Sequence, residues 1–322
     1  MIECSFTTYS ELEVRKIIMK PIPIILDTDI GTDIDDMWAL AMLMGRPELD
    51  PKLILTCCGD TEYRANLTAK FLATAGRTDI PVGLGISDPA SEEFNFKFQE
   101  PWLSDFDPIQ YEGKIINDGI GYFVDLIKGS EESIAIISIG AATNIAEALE
   151  LEPSIAEKCR FVGMHGSFDI GYGGRPGAVA ETNVRLDVPA FRKIISAKWQ
   201  EITITPLDTC GLVILEGERY KSLFQCNQPG IAALLENYKI FSELVTWMDV
   251  DYFDEHSTTL FDAVAVYLVY GRDLLDIKPM SINVDNEGFT FQDPNGCTVN
   301  VAYKWRNLDG FYDHLLESLL NI

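Results

Sequence analysis

Apolar and polar positions fall into alternating blocks along this chain. Short runs rich in isoleucine, leucine and valine recur at 22–26, 53–58, 80–85, 134–140, 160–164 and 201–207. Continuous apolar runs of that length predict strands buried on both faces of a parallel sheet. Between them lie helix formers, predicting helices over 37–44, 62–75, 121–128, 143–149 and 189–198, the second closed by Gly76. Further helices are predicted over 216–224, 230–248, 261–271 and 311–320. Residues 87–112 have no period and predict a long surface loop or lid, and 165–178 hold five glycines in fourteen residues, a flap. At 279–288 and 297–305 the pattern changes to strict alternation with turn residues between, which predicts an antiparallel hairpin. The reading is one α/β domain over 22–322: a largely parallel, Rossmann-like central sheet flanked by helices, with a small antiparallel hairpin near the C-terminus. Residues 1–21 read as an N-terminal extension without the apolar core of a signal peptide.

Composition narrows the partners. The chain has 322 residues, 47% hydrophobic and 23% charged, which is ample for a core. Fifty acidic against 25 basic residues give a net charge of −25. That field disfavours nucleic acid or an anionic membrane and suits capture of a cation, though solubility alone also accounts for it. No apolar run reaches membrane-spanning length. The seven cysteines are odd in number, two are adjacent (Cys57 and Cys58), and no CxxC pair occurs. They read as small core residues of a cytoplasmic protein, not as a disulfide framework or a thiolate zinc site.

The densest chemistry lies between the first predicted strand and helix. Asp27, Asp29, Asp33, Asp35 and Asp36 occupy ten consecutive positions. A strand-to-helix turn lies at the carboxyl end of its strand, where open α/β sheets bind ligands. Carboxylates so close repel one another unless a positive charge sits among them, and hard divalent cations take several oxygen ligands. An EF-hand is excluded: Gly31 is fifth and Trp38 twelfth counting from Asp27, where that loop needs glycine sixth and glutamate twelfth. Capping of the helix start and its dipole accounts for one or two of the five, Asp33 or Asp35. It leaves Asp27 and Asp29 at the strand end, for which metal binding is the better reading.

DTDIGTDIDDMWALA (27–41) resembles the N-terminal signature of the inosine–uridine-preferring nucleoside hydrolase family, with two extra residues before the paired aspartates. TCCGDTEYRANLTAKFLA resembles that family's second strand and helix, ISIGAATNIAEALELEP a strand end with a calcium-binding carbonyl, GSFDIGYGGRPGAVAETNVRLD its flexible loop and ribose-binding Glu-x-Asn, and TTLFDAVAVY the helix start with the last calcium ligand. The resemblance runs in order from Ile22 over nearly the whole chain. It implies hydrolysis of the N-glycosidic bond of ribonucleosides with Ca²⁺ held by Asp29, Asp36, the Ile139 carbonyl and Asp262, and with Asp27 and Asp35 in support. Asp29 would take the proton of the water that the ion activates. Asp35, Asp60, Glu181 and Asn183 would hold the ribose, and the assembly would be a homodimer or homotetramer.

Two positions depart from the family pattern. The histidine before the last calcium ligand, which helps protonate the leaving base, is Phe261 here, and the asparagine of the flexible loop falls on or near Arg175. Aromatic stacking, a water, Tyr252 or His256 would then assist departure of the base, and His165 is a candidate to line the pocket, although each histidine also reads as an ordinary loop residue. Phe168, Tyr172, Trp247, Tyr252, Phe253 and Phe261 are candidates to sandwich a base, or else core and lid packing. Two alternatives remain open at this stage. DTDIGT also resembles the nucleophile loop of haloacid dehalogenase-like, magnesium-dependent phosphohydrolases, with Asp27 as nucleophile. A relative that binds ribosides without turnover is the other.

Overall fold

The computed structural model describes residues 20–87 and 96–322; residues 1–19 of the expected extension and 88–95 of the expected lid lie outside the described residues. Ten strands and eleven helices are described. The first half holds β1 (Ile22–Thr28), α1 (Asp35–Met44), β2 (Leu49–Thr56), α2 (Thr61–Thr74), β3 (Val82–Leu84), β4 (Ile115–Ile116), α3 (Gly119–Gly129), β5 (Ile134–Ser138) and α4 (Thr143–Leu151). Then come β6 (Cys159–Met164), α5 (Thr182–Leu186), α6 (Val188–Ser196), β7 (Glu201–Thr205), α7 (Leu207–Cys210), α8 (Gly217–Leu223) and α9 (Pro229–Leu244). The chain closes with α10 (Ala263–Leu268), β8 (Leu275–Val284), β9 (Thr290–Gln292), β10 (Cys297–Trp305) and α11 (Leu308–Leu319).

All strands join one sheet in the order β4-β3-β2-β1-β5-β6-β7-β10-β8-β9. Pairing is parallel from β4 to β10 and antiparallel between β10 and β8 and between β8 and β9. The chain leaves β1 toward β2 on one side, whereas β5, on the other side of β1, leads away to β6. The carboxyl ends of β1 and β5 therefore border the switch point, where a crevice opens because their connections diverge. Asp27 pairs across this border with Ser138, and the Ile139 N–H donates to the Asp27 carbonyl at 2.9 Å. The acidic turn and the Ile139 strand end, more than a hundred residues apart in sequence, are thus neighbours.

The predicted alternation holds, with differences that have local causes. The C-terminal segment is a three-strand antiparallel extension: β9 pairs with β8 through Val284↔Thr290, and β10 lies on β8's other edge. The run predicted as a strand to 207 stops at Thr205, since Pro206 enters the turn α7. The helix predicted to 248 ends at Leu244, and the residues after it reach the crevice. The short β4 and α5 carry too few residues to show a period.

Every residue of α1 is buried, and the helix packs among α9, α10 and α11. A helix apolar all round is a core element, so the acidic turn at its start has a rigid floor. Its C-terminus is equally tight. A Cβ on Gly45 would lie 1.8 Å from the Ser318 carbonyl oxygen at the end of α11. Gly45→Ala is expected to destabilise the protein by about 1–3 kcal/mol through overpacking. Urea denaturation checks this; an unchanged midpoint would contradict the described seating of α1 on α11.

Candidate active site

The turn after β1 is built before any ligand enters. Ile30 N–H donates to Thr28 Oγ1 at 3.1 Å, and the Thr28 hydroxyl donates to Asp36. Gly31 has φ +107°, and a Cβ there would meet the Tyr63 ring at 2.7 Å, so only glycine fits. Arg64 of α2 locks the turn from beneath. Its guanidinium donates to the carbonyls of Cys58 (2.7 Å), Ile30 (2.9 Å) and Asp29 and to Thr32 Oγ1 (2.9 Å). It is 1% exposed and supplies positive charge to Asp29 and Asp36. Sequence reasoning missed Arg64. The available signal was its place at helical spacing with Leu67, Thr68 and Phe71, on the stripe that faces the core.

Four segments converge on a cavity of about 620 Å³ above this turn. Asp29, Asp33, Asp35 and Asp36 come from the turn, Ile139 from the end of β5, Glu181 and Asn183 from the start of α5, and Asp262 from the start of α10. Oxygens of Asp35, Asp36 and Asp262 all lie within 4.8 Å of one another, and Asp35 and Asp262 share a hydrogen bond. Asp35, expected as a support and a ribose contact, thus sits inside the tightest carboxylate group, while Asp29 lines the cavity beside it. Asn183 Nδ2 donates to the Ile139 and Met164 carbonyls, both at 3.1 Å. Glu181 accepts from the backbone N–H groups of Gly166 (3.0 Å), Asn183 (2.7 Å) and Val184 (3.2 Å). Those bonds cap α5 and fix both side chains.

Burial is the main electrostatic fact. It pushes Asp27 up to about 8, Asp33 to about 6 and Glu181 to about 7. Asp29 is also raised, and Asp35, Asp36 and Asp262 stand well above the carboxylate range, through burial and then mutual repulsion. One buried arginine cannot balance that charge. The donor set is all oxygen, convergent and screened from water, so it fits a hard divalent cation.

Several expected residues lie elsewhere. Asp60 caps α2 by accepting from Tyr63 N–H at 2.9 Å and pairs with Lys97 at 2.5 Å; it is not in the cavity wall. His165 is buried against Phe191, ring centroids 4.7 Å apart, and burial pushes its imidazole down to about 3. It is a neutral core residue away from the cavity. Phe168 is half-buried against the second core cluster and outside the cavity wall, its N–H bonded to Asp208 at 2.9 Å. His256 stands behind Tyr252, stacked at 4.1 Å, with Nδ1 2.7 Å from the Ser257 carbonyl. Of the base-pocket candidates, Tyr172, Trp247, Tyr252 and Phe261 line the cavity, and Tyr172 meets Phe261 edge-on at 5.8 Å. Asp33, expected as a cap, accepts from Ile34 N–H at 2.6 Å and faces the cavity, while α1 has no side-chain N-cap. Asp27 lies behind the wall and accepts from Asn144 Nδ2 at 2.7 Å. A nucleophile must reach its substrate, so this placement removes the observation behind the phosphohydrolase alternative.

Comparison with known proteins shows the family. Residues 24–312 match the family described as inosine-uridine preferring nucleoside hydrolase, and the chain belongs to that family. It is therefore a hydrolase acting on N-glycosyl bonds of ribonucleosides, in a family that depends on a metal. The inosine-uridine preferring nucleoside hydrolase of Leishmania major is 26% identical over 94% of this chain and 98% of its own length. The non-specific ribonucleoside hydrolase RihC of Escherichia coli O157:H7 is 27% identical over 92% and 98%. A plant nucleoside hydrolase superposes with TM-score 0.74 at 22% identity, over 93% of this chain and 99% of its own. The purine-preferring ribonucleoside hydrolase of Gardnerella vaginalis gives 0.73 at 20%, over 92% and 98%. The two superpositions show the shared fold.

The raised carboxylates set a pH dependence. The metal-free folded state binds more protons than the unfolded chain between about pH 4 and pH 8, so its stability falls as pH rises through that range. A cation needs the ionised forms and should reverse the trend. Melting temperature with chelator is expected to drop from pH 5 to pH 8, and the gain on adding a divalent cation to grow with pH. A cation-induced gain that is flat or shrinks with pH would refute this account of the cluster.

Proposed function

We propose that this chain is a Ca²⁺-dependent ribonucleoside hydrolase, with Asp29 as general base and with Asp29, Asp36, Asp262 and the Ile139 carbonyl as cation ligands. The observation that carries the proposal is the convergence on one cavity of buried carboxylates from the turn after β1 and the start of α10, with Ile139 at the end of β5 beside them. Calcium suits an all-oxygen set that includes a main-chain carbonyl. When bound, the cation would act as a Lewis acid that polarises a water and the vicinal ribose hydroxyls.

The remaining chemistry belongs to the side chains. Asp29 takes the water's proton as the water oxygen attacks C1′. Asp35, Glu181 and Asn183 orient the ribose, and the surrounding carboxylates stabilise positive charge developing on the sugar ring. The C1′–N bond breaks with its electron pair going to the base, which leaves with one proton. Phe261 cannot supply that proton. Tyr252 lines the cavity, and among the described residues its hydroxyl has no hydrogen-bond partner. Burial and then Asp33 raise its phenol above the usual tyrosine range, so the group is protonated when the base departs. Trp247 and Phe261 offer the base its apolar walls. Six described cysteines are free, which accords with a reducing compartment such as the cytoplasm. The family resemblance supports a role in nucleoside salvage and a homodimer or homotetramer.

Free base and reducing sugar, assayed over a nucleoside panel, should appear with Ca²⁺ and disappear with chelator. Asp29→Asn should lower kcat by about 10³-fold. No product from any nucleoside with Ca²⁺ present, or full activity under chelation, would falsify the proposal. Tyr252→Phe should lower kcat by about 10²-fold, mainly for bases that leave poorly. An equal loss for good leaving groups would assign Tyr252 to binding instead.

A further inference from the structure

We infer that the cavity takes ribosyl substrates bearing a 5′-phosphate, nucleoside 5′-monophosphates above all, with Arg175 as the phosphate contact. This rests on the N-glycosidic reading above and extends it to the substrate class.

The cavity wall carries six carboxylates, and among the described residues Arg175 is its only lysine, arginine or histidine. Arg46, Arg77, Arg219, Arg272 and Arg306 are all ion-paired. The Arg175 guanidinium has neither a hydrogen bond nor an ion pair among the described residues, although acidic side chains outnumber basic ones two to one in this chain. A free cation in so acidic a surrounding is available for an anionic ligand.

Its position selects which part of the ligand. Arg175 sits at the tip of a small hairpin closed by the Ile170–Pro176 bridge, by Gly171 N–H donating to the Arg175 carbonyl at 2.8 Å and by Gly177 N–H donating to Asp169 at 2.7 Å. Gly173 (φ +67°) and Gly174 (φ +70°) make the turn. The Tyr172 hydroxyl, bonded to Thr182 Oγ1 at 2.8 Å, pins this tip beside Glu181 and Asn183, the ribose end of the cavity. A ribofuranosyl group has three polar exits: the base at C1′, the vicinal hydroxyls, and C5′. The aromatic wall takes the first and the carboxylates the second, which leaves C5′ for Arg175. Arginine's planar fork matches phosphate oxygens in pairs. Without such a contact, a cavity of this charge would repel a phosphate. The cavity volume of about 620 Å³ is within the usual range for small-molecule sites. The reaction is the same hydrolysis: water adds at C1′, the C1′–N bond breaks toward the base, and the products are ribose 5-phosphate and the free base.

The test compares kcat/KM for inosine, inosine 5′-monophosphate and orotidine, whose carboxylate is on the base, in the wild type and in Arg175→Ala, Arg175→Lys and Arg175→Glu. Binding of ribose and ribose 5-phosphate to the same proteins with Ca²⁺ is measured by calorimetry. The ratio of monophosphate to nucleoside is expected to fall at least tenfold in Arg175→Ala and further in Arg175→Glu. Arg175→Lys should recover part of it, and the wild-type advantage should shrink with salt. A ratio that Arg175→Ala leaves unmoved, or a selective loss for orotidine, overturns the inference. If no variant turns anything over, the hydrolase reading fails by itself. Preferential, Arg175-dependent binding of ribose 5-phosphate would then uphold the phosphate contact, and equal binding of both sugars would overturn it.

Discussion

Mutual repulsion among buried carboxylates is the constraint on which the rest of this structure depends. Two unit charges 4 Å apart repel by about 4 kcal/mol at an effective dielectric constant of 20, and burial adds a solvation cost to each. Asp29, Asp35, Asp36 and Asp262 face one another under those conditions, and among the described residues Arg64 is the cation hydrogen-bonded to the turn beneath them. The cluster stays in place because the groups around it do not yield. Thr28 and Arg64 fix the turn, α1 is core on all sides, and Asn144 joins Asp27 to the neighbouring strand at Thr56. The repulsion left over is what makes the site selective for a cation.

The sheet decides where this charge is concentrated. A doubly wound order opens its crevice at the border of β1 and β5, and the segments after β1, β5 and β6 that contribute to the site leave the same end of the sheet. Two kinds of wall result. The carboxylate wall stands on strand ends and helix starts, and its side chains are held by backbone hydrogen bonds, as with Glu181 and Asn183. The rest of the lining, with Tyr172, Arg175, Trp247 and Tyr252, is carried by loops. Chemistry common to a family suits the first wall, and discrimination between substrates suits the second.

Residue type and spacing alone did not separate members of the site from their neighbours. Asp60 has the chemistry of a ribose contact, yet its carboxylate is engaged by the α2 backbone and by Lys97. His165 follows a strand that ends at the cavity, yet its ring turns into the core against Phe191. Arg64 was overlooked for the converse reason: a charged residue on a helix is ordinarily solvated, and this one is buried under the turn it organises.

The order and kind of the elements were legible in the chain, because apolar runs and helix formers report burial locally, residue by residue. So was the acidic turn, since five aspartates between a strand and a helix have few other uses. Its partners Ile139, Glu181, Asn183 and Asp262 were legible only through resemblance to a family. Their approach to the turn, the inward face of Asp33, the retreat of Asp60 and His165, and the free guanidinium of Arg175 at the ribose end were decided by the tertiary structure. Side-chain direction depends on what packs around each backbone position, and those neighbours come from distant parts of the sequence.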